Sequence, residues 1–200
     1  RQARLRRALV TGTRLLLVRH GDTDWAAERR HTGRTDVPLN AEGEARATAL
    51  RGRLPLDGVV AVWSSPLARA RATAARAGLA VDEVVDDLVE WDYGAAEGRT
   101  TAEIREARPG WTVWDDPMAD GETADDVGAR VDRVIARART LDGTVVLVAH
   151  AHLLRILAAR WLGLPARTGR HLTLDPGGWA LLGWERETPV VERWNPPPVP

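Results

Sequence analysis

Three short runs of uninterrupted apolar residues, separated by segments with helical character, constrain the fold of this chain more than any other feature. They cover residues 15–18, 59–63 and 145–149. Apolar runs of this length, without polar alternation, are typical of strands that are buried on both faces. Strands that alternate with helices form a largely parallel sheet with helices on both sides. We therefore expect an α/β fold with three layers, α/β/α, around a mostly parallel central sheet.

Helix signals lie between and after these strands. Asn40 is a typical N-cap residue, and acids precede arginines in the order that suits the helix dipole, which predicts a helix over 41–53. Ser64-Ser65-Pro66 predicts the cap of an Ala-rich helix that ends near Gly78. The other predicted elements are helices over 125–140 and 153–162 and two terminal strands, 179–184 and 190–191, which pair as a hairpin.

Composition restricts the chemistry that this chain can perform. The 200 residues include 28 arginines, no lysine and no cysteine, and the formal net charge is zero. Without cysteine, disulfides, thiolate nucleophiles and Cys-ligated metals are excluded. Without lysine, Schiff-base catalysis and a Walker-type phosphate loop are excluded. Zero net charge gives no reason to expect a nucleic-acid or membrane partner, so anion binding falls to local arginine and histidine side chains.

One domain, residues 14–195, is predicted between two terminal segments. Residues 1–13 are expected to be a disordered extension, because their apolar stretch is too short for a secretory signal. Residues 196–200 are proline-rich and are expected to form an extended tail. No apolar run approaches the roughly 20 residues of a membrane-spanning helix, and a cytoplasmic location is expected.

Polar residues with catalytic potential follow the three apolar runs directly. Arg19-His20 follows the first run, Ser64-Ser65 follows the second with Arg69 one turn later, and His150-Ala151-His152 follows the third. In α/β sheets, ligands bind beyond the carboxyl ends of the strands. Each of these residues alone has a common structural explanation. Their joint placement predicts that two histidines and two arginines converge on one crevice if the strands are neighbours.

The ordered set of motifs resembles the histidine phosphatase superfamily, also called the phosphoglycerate mutase-like family. The Arg-His-Gly signature is matched by Arg19-His20-Gly21, with Asp22-Thr23 after it, and the second arginine motif by Ser64 to Ala70. Glu90-Trp91-Asp92-Tyr93-Gly94 resembles the acid-bearing loop, Gly121-Glu122-Thr123 the Gly-Glu-Ser/Thr turn, and His150 the second histidine. The motifs occur in family order over about residues 14–195, and the resemblance implies the phosphoglycerate mutase-like fold.

This resemblance implies a role for each matched residue. His20 would be the nucleophile that forms a phosphohistidine, kept neutral by nearby positive charge. Arg19, Arg69 and His150 would bind the phosphoryl oxygens. Glu90 would protonate the leaving alkoxide and then activate water, and a nearby phosphate dianion would favour its protonated form. The competing carboxylates are Asp22, Asp24, Asp92 and Glu97.

Further residues match positions that contact substrate in the family. Thr23, Thr32 and Gly33 would do so through hydroxyl or backbone groups, and Trp91, Tyr93, Ala151 and His152 would form walls. For Trp91 a place in the core is an equal alternative, because the chain has nine tryptophans and no phenylalanine. Ala26 stands where Asn or Ser is common, and Ala151 where Gly is common. If that second position needs a glycine conformation, alanine costs about 1 kcal/mol.

The expected activity is hydrolysis of a small phosphomonoester, with a sugar phosphate as the expected substrate and without a metal or cofactor. A homodimer is an open option. A mutase is disfavoured by the short segment from Gly98 to Gly121 and by the acids at its end, Asp115, Asp116 and Asp120, although Arg99 and Arg105 could reach a distal phosphate.

Two other classes of function remain open. A metallohydrolase would use His150, His152 and a carboxylate, but Arg19 and Arg69 would repel a divalent metal. A non-catalytic phospholigand-binding protein is the other alternative, for which Ala26 and Ala151 are the motivation.

Overall fold

A computed structural model describes residues 12–197 of the chain. The predicted extension therefore lies outside the described residues up to residue 11, and so do residues 198–200 of the predicted tail. Thr13 is fully buried, and its hydroxyl donates a hydrogen bond to the carbonyl of Leu141. The packed structure thus already includes Thr13, which the sequence assigned to the extension.

The central sheet contains six strands in the described part of the chain. Their ranges are β1 Arg14–Arg19, β2 Val59–Ser64, β3 Glu83–Val84, β4 Thr144–Ala149, β5 Trp179–Glu185 and β6 Thr188–Trp194, in the spatial order β3-β2-β4-β1-β5-β6. The first four of that order are parallel, while β5 and β6 form an antiparallel hairpin at the edge. The prediction of a mostly parallel sheet is confirmed, and the strands β2, β4 and β1 are neighbours.

Helices cover both faces of the sheet. Their ranges are α1 Asp24–Ala27, α2 Ala41–Ala49, α3 Ala68–Ala77, α4 Thr101–Ala107, α5 Ala124–Ala138 and α6 Ala151–Trp161, with 3₁₀ turns at Asp86–Leu88, Gly94–Ala96 and Ala166–His171. Helices α2 and α3 pack together, as do α5 and α6. Helix α2 ends at Ala49, before the predicted end at residue 53, and α1, α4 and β3 were not predicted. Within residues 12–197, no helix has the length and apolar character needed to cross a membrane.

The apolar residues of β1 alternate between two cores. Leu15 and Leu17 belong to the core that includes α5 and α6, whereas Leu16 and Val18 belong to the core under α2 and α3. All four are fully buried, which explains why this strand has no polar alternation. Tryptophan provides much of the aromatic volume, and Trp161 is among the largest fully buried side chains.

Helix caps show how local sequence sets the ends of elements. Thr123 and Asp126 form a reciprocal capping box at the start of α5. Asn40 caps α2 by accepting a hydrogen bond from the backbone N–H of Gly43. The predicted Ser-Ser-Pro cap of α3 is wrong, because the helix begins at Ala68, three residues after Ser65. The backbone N–H of Ala68 donates instead to the carboxylate of Asp36, which is distant in sequence.

Candidate active site

A cavity of about 210 Å³ lies at the carboxyl end of β1, beside the first turn of α6. All the predicted site residues line it except Arg69, His150, Gly33 and Trp91. Four residues that were not predicted as part of the site also line it, namely Ala26, Arg29, Arg30 and His31. The structure therefore brings the residues after β1 and β4 together with the acid-bearing loop, as the order of the strands requires.

The hydrogen bonding of His20 fixes its tautomer. Its Nδ1 lies 2.6 Å from the carbonyl oxygen of Gly21. Because a carbonyl oxygen can only accept, Nδ1 carries the proton and the lone pair of the neutral ring is at Nε2. Burial, together with the positive charges of Arg19 and Arg69, lowers the pKa of His20 well below its usual value. His20 is thus held neutral, with a nucleophilic nitrogen that is not protonated.

The loop that carries His20 is in direct backbone contact with α2. A side chain at Gly21 would collide with the backbone of Gly43, and a side chain at Gly43 would collide with the backbone of Asp22. The N–H of Gly21 also donates to the hydroxyl of Thr73 on α3. The loop that carries His20 is therefore supported from behind by two helices.

Arg19 contains an unused donor. One terminal nitrogen of its guanidinium donates to the carbonyl of Leu174. Its Nε is buried, and among residues 12–197 no acceptor satisfies it. A buried donor without a partner costs about 1–3 kcal/mol. A ligand oxygen in the cavity that Arg19 lines would remove this cost, which makes the cavity suited to an anion.

Glu90 is almost fully buried, with 4% of its surface exposed. Its carboxylate accepts hydrogen bonds from the backbone N–H groups of Trp91, His152 and Leu153. The last two belong to the first turn of α6, whose unpaired N–H groups and dipole favour a carboxylate at that place. These bonds fix the position of the Glu90 side chain on the wall of the cavity.

Three of the four competing carboxylates are engaged elsewhere, and the fourth, Asp24, does not line the cavity. Asp22 forms an ion pair with Arg46 at 3.0 Å, and Asp92 forms one with Arg34 at 2.8 Å. Glu97 accepts hydrogen bonds from the backbone N–H groups of Gly33 and Thr35. Among the described residues, Glu90 is the only carboxylate that lines the cavity.

Arg69 and His150 lie behind the cavity. Arg69 is fully buried and donates to the carbonyls of Thr32, Gly33 and Thr35. Its Nε donates to Nδ1 of His150 at 3.2 Å, so the proton of the neutral His150 ring is on Nε2, which contacts the hydroxyl of Ser65 at 2.7 Å. Burial, with Arg69 next in effect, lowers the pKa of His150 well below its usual value.

The two residues therefore brace the site in this conformation. The His150 ring packs edge-on against the His20 ring, with 5.1 Å between centroids. Arg69 adds positive charge near His20 and holds the backbone of residues 32–35. Direct contact of either side chain with a phosphoryl group remains a prediction.

Two further predicted contacts differ from expectation. Gly33 donates its N–H to Glu97 and accepts from Arg69 at its carbonyl, so both of its backbone polar groups are used inside the protein. Trp91 is fully buried, and its ring stacks on that of Tyr93 with an interplanar angle of 19°. The expectation that Trp91 forms a wall is wrong in this structure, because the residue lies behind Tyr93.

Tyr93 and His152 form one wall of the cavity. The Tyr93 hydroxyl lies 2.5 Å from Nδ1 of His152. Burial raises the pKa of Tyr93 well above its usual value, so the hydroxyl stays protonated and donates to this nitrogen. Burial lowers the pKa of His152 well below its usual value. This wall is therefore neutral, and the positive charges of the cavity come from arginine.

Two lining residues with small side chains, Thr23 and Ala151, are placed by the starts of helices α1 and α6. Thr23 caps α1 by accepting a hydrogen bond from the N–H of Ala26, which leaves the hydroxyl proton of Thr23 available to a ligand. Ala151 is the first residue of α6 and does not have a positive φ. The free-energy cost that alanine would have at a position requiring a glycine conformation therefore does not arise at Ala151.

Sequence reasoning identified Arg19 but missed two further arginines that line the cavity, Arg29 and Arg30. Arg99 and Arg105, which could have reached a distal phosphate, do not line it. Arg99 donates to the carbonyl of Glu103, and Arg105 donates to the carbonyl of Trp111. Two of the three acids near the end of the same segment are paired, since Asp115 contacts Arg167 and Arg170 and Asp116 contacts Arg108. The acidic field that was expected to weaken binding of a second phosphate is therefore largely compensated.

The ligand set for a metal is not assembled in the described part of the chain. No group of three or more His, Asp or Glu side chains among residues 12–197 is arranged to hold a metal ion. His152 uses Nδ1 to accept from Tyr93, and the Glu90 carboxylate is occupied by backbone N–H groups. The residues that the metallohydrolase alternative requires are thus engaged with other partners.

An unfilled guanidinium donor and a neutral histidine at one small cavity suit a phosphate ester, and the class of protein that this fold and site define is an enzyme acting on such esters. The chain belongs to the histidine phosphatase superfamily, branch 1, whose sequence model matches residues 15–197. The protein is a phosphoric monoester hydrolase.

Similar proteins include two with phosphatase names and others named as probable phosphoglycerate mutases. An acid phosphatase of Mycobacterium tuberculosis is 39% identical over 181 residues, which cover 88% of this chain and 89% of the relative. A sedoheptulose 1,7-bisphosphatase of Saccharomyces cerevisiae is 34% identical over 187 residues, covering 76% and 68%. The solved structure of the open reading frame Rv3214 of Mycobacterium tuberculosis has a TM-score of 0.87 and 36% identity, covering 92% of this chain and 97% of that one.

Proposed function

We propose that this protein hydrolyses small phosphomonoesters, with a sugar phosphate as substrate, through a phosphohistidine at His20 and without a metal. The observation that carries the proposal is the tautomer of His20, whose Nε2 lone pair is free because Nδ1 donates to the carbonyl of Gly21. The unfilled Nε of Arg19 and the carboxyl group of Glu90 at the same cavity support it. A covalent intermediate divides one difficult substitution at phosphorus into two easier steps.

In the first step, Nε2 of His20 attacks phosphorus and the bond between phosphorus and the ester oxygen breaks. The leaving alkoxide takes a proton from Glu90, which holds one in this step because the phosphate dianion beside it disfavours a second negative charge there. Arg19 stabilises the charge on the transferring oxygens through a planar, permanently charged group. The proton at Nδ1 of His20 stays in its hydrogen bond to Gly21 and keeps the ring aligned.

In the second step, water attacks the phosphorus of the phosphohistidine. Glu90, now ionised, accepts a proton from that water, and the bond between phosphorus and Nε2 breaks. Inorganic phosphate leaves and His20 returns to its neutral form, while Glu90 is again protonated. The backbone N–H groups of Trp91, His152 and Leu153 keep the carboxyl group in place through both steps.

The size of the cavity supports a small substrate. Its volume of about 210 Å³ is below the range of roughly 300–1,000 Å³ that is usual for pockets binding drug-sized ligands. Tyr93 and His152 form a neutral wall with polar atoms, which suits the hydroxyl-bearing carbons of a sugar. We expect release of inorganic phosphate and negligible interconversion of 2- and 3-phosphoglycerate. Efficient interconversion that depends on 2,3-bisphosphoglycerate would contradict this proposal.

The test is turnover of p-nitrophenyl phosphate by the wild type, by His20→Ala and by the control His171→Ala, in which an exposed histidine is replaced. We expect His20→Ala to be inactive and the control to be active, with an acid-labile phosphoprotein trapped only from active proteins. Activity should survive a chelator. Full activity of His20→Ala would refute the nucleophile, and activity that a chelator abolishes and one metal restores would support a metallohydrolase.

The role of Glu90 needs a separate test with two kinds of leaving group. We expect Glu90→Gln to slow the hydrolysis of alkyl phosphates far more than that of aryl phosphates, because an aryl oxide leaves without protonation. Equal losses on both substrates would count against Glu90 as the acid. Binding of phosphate without turnover of any ester would instead indicate the non-catalytic alternative.

A further inference from the structure

One arginine at the cavity has no counter-charge. Arg29 lines the cavity and is exposed. In the described range 12–197, its backbone N–H bonds to the carbonyl of Ala26, but its guanidinium has neither a hydrogen bond nor an ion pair. Its neighbour Arg30 differs, because Arg30 is held by the carboxylate of Glu28 and the carbonyl of Gly98. Arg29 is therefore a free cation at the opening of the site.

The backbone of Arg29 is strained, an observation that is independent of its unpaired charge. Its φ is +58°, in the left-handed region, and it directly follows Glu28, the C-cap of α1. Glycine is the residue that usually occupies this position after a helix, because a side chain disfavours the conformation. Strained backbone conformations cluster at functional sites, where the side chain that they position has a role.

The positive charge of Arg29 has no negative partner when a phosphomonoester without a second anionic group binds. A phosphate dianion balances the two buried arginines, Arg19 and Arg69, which lie next to His20. Glu90 is uncharged when it enters the first step as the acid. Arg30 already has Glu28 as a partner. Arg29 is then the remaining unpaired positive charge among the described residues that line the cavity.

We propose that Arg29 is a specificity-determining residue that binds a second anionic group of the substrate, a carboxylate or a second phosphate. A guanidinium offers two parallel N–H groups to either anion and stays charged at any physiological pH. This inference rests on the proposed function and narrows it, from phosphomonoesters in general to those with another negative group beyond the reacting phosphate. Arg99 and Arg105, the cations that the sequence suggested for this task, are bonded to carbonyls and do not line the cavity.

The experiment compares substrates that differ only in the second charge. The carboxylate pair is 3-phosphoglycerate and glycerol 3-phosphate, and the phosphate pair is fructose 1,6-bisphosphate and fructose 6-phosphate. For each pair, kcat/KM for the substrate with the second charge is divided by kcat/KM for the substrate without it. This ratio is measured for the wild type, Arg29→Gly and Arg29→Lys. The pair with the larger change identifies which anion Arg29 prefers.

The chain offers a matched control in Arg186→Gly. Arg186 is also an exposed arginine with a left-handed φ, +56°, and it lies in the turn between β5 and β6 at the opposite end of the sheet from the cavity. The control therefore makes the same change of residue, charge and backbone strain away from the site. Replacement by glycine suits the native φ at both positions, so both variants should fold.

We expect Arg29→Gly to lower this ratio about tenfold for at least one pair of substrates. A tenfold change corresponds to a free energy between those of exposed and of buried ion pairs. Arg29→Lys should keep most of the ratio, Arg186→Gly should keep all of it, and added salt should lower the ratio in the wild type. Unchanged ratios in Arg29→Gly, or equal losses on all four substrates, overturn the inference. Hydrolysis of p-nitrophenyl phosphate but of none of the four also overturns it, whereas inactivity toward every ester overturns the proposed function as well.

Discussion

Acid should destabilise this protein through its two most buried histidines. His20 is 6% exposed and His150 is fully buried, and burial is the main reason that the pKa of each lies well below its usual value. In the unfolded chain both titrate near 6.5, so below that pH the unfolded state binds protons that the folded state does not. The stability that these groups contribute is therefore present above pH 6.5 and is lost as the pH falls.

The size of the effect follows from this difference in proton binding. Between pH 6.5 and 5.5, each histidine that stays neutral in the folded state removes about 1 kcal/mol of unfolding free energy. The pair removes about 2 kcal/mol, a large part of a total stability that is typically about 5–15 kcal/mol. His152 acts in the same direction but is partly exposed, and its contribution should be smaller.

The assay is denaturant unfolding of the wild type and of His150→Gln at pH 6.5 and 5.5. Glutamine keeps a donor for Ser65 but does not titrate, so the drop in stability between the two pH values should shrink by about 1 kcal/mol. The control is His171→Gln, which removes an exposed histidine and should leave the drop unchanged. An equal drop in His150→Gln and the wild type would refute the reasoning, whatever the absolute stability of the variant.

Three other substitutions test single contacts. Thr123→Ala removes the capping box of α5 and should cost about 1 kcal/mol in a denaturant titration. Glu97→Ala leaves the N–H groups of Gly33 and Thr35 without their acceptor and should cost about 1–3 kcal/mol, measured in the same way. Trp91→Phe loses one hydrogen bond to the Glu122 carbonyl and should cost about 1 kcal/mol. Its kcat/KM should stay within about threefold of the wild type, because Trp91 does not line the cavity; a larger loss would place it in contact with substrate.

The elements that could be predicted from sequence are those with a strong local pattern. The strands β1, β2 and β4 are continuous apolar runs because both of their faces are buried, and the pattern therefore marks them clearly. Strand β3 has only two residues and carries no periodicity. Helix α4 has a local signal in the sequence, because Thr100 and Glu103 have the spacing of a capping box and form one in the structure.

The site was predictable where a residue directly follows β1 or belongs to a recognisable motif, and less so where the meeting of distant loops determines position. His20 and Glu90 line the cavity because β1 and the start of α6 fix them. Arg29 could not be distinguished from Arg99 or Arg105, because their environments depend on how distant loops meet. Arg69 was expected to face the ligand, but its buried guanidinium satisfies three backbone carbonyls that would otherwise lack donors.

The contact between Gly21 and Gly43 has an evolutionary consequence. Both positions require glycine because two backbone segments approach closely there, although the two glycines belong to different elements. A substitution at either position pushes the same two backbone segments apart. Once they are apart, a substitution at the other position should cost little additional stability. The two positions are therefore expected to show strong positive epistasis. A lineage that lost one glycine would be under little further pressure to keep the other, while the loop that carries His20 would already have shifted.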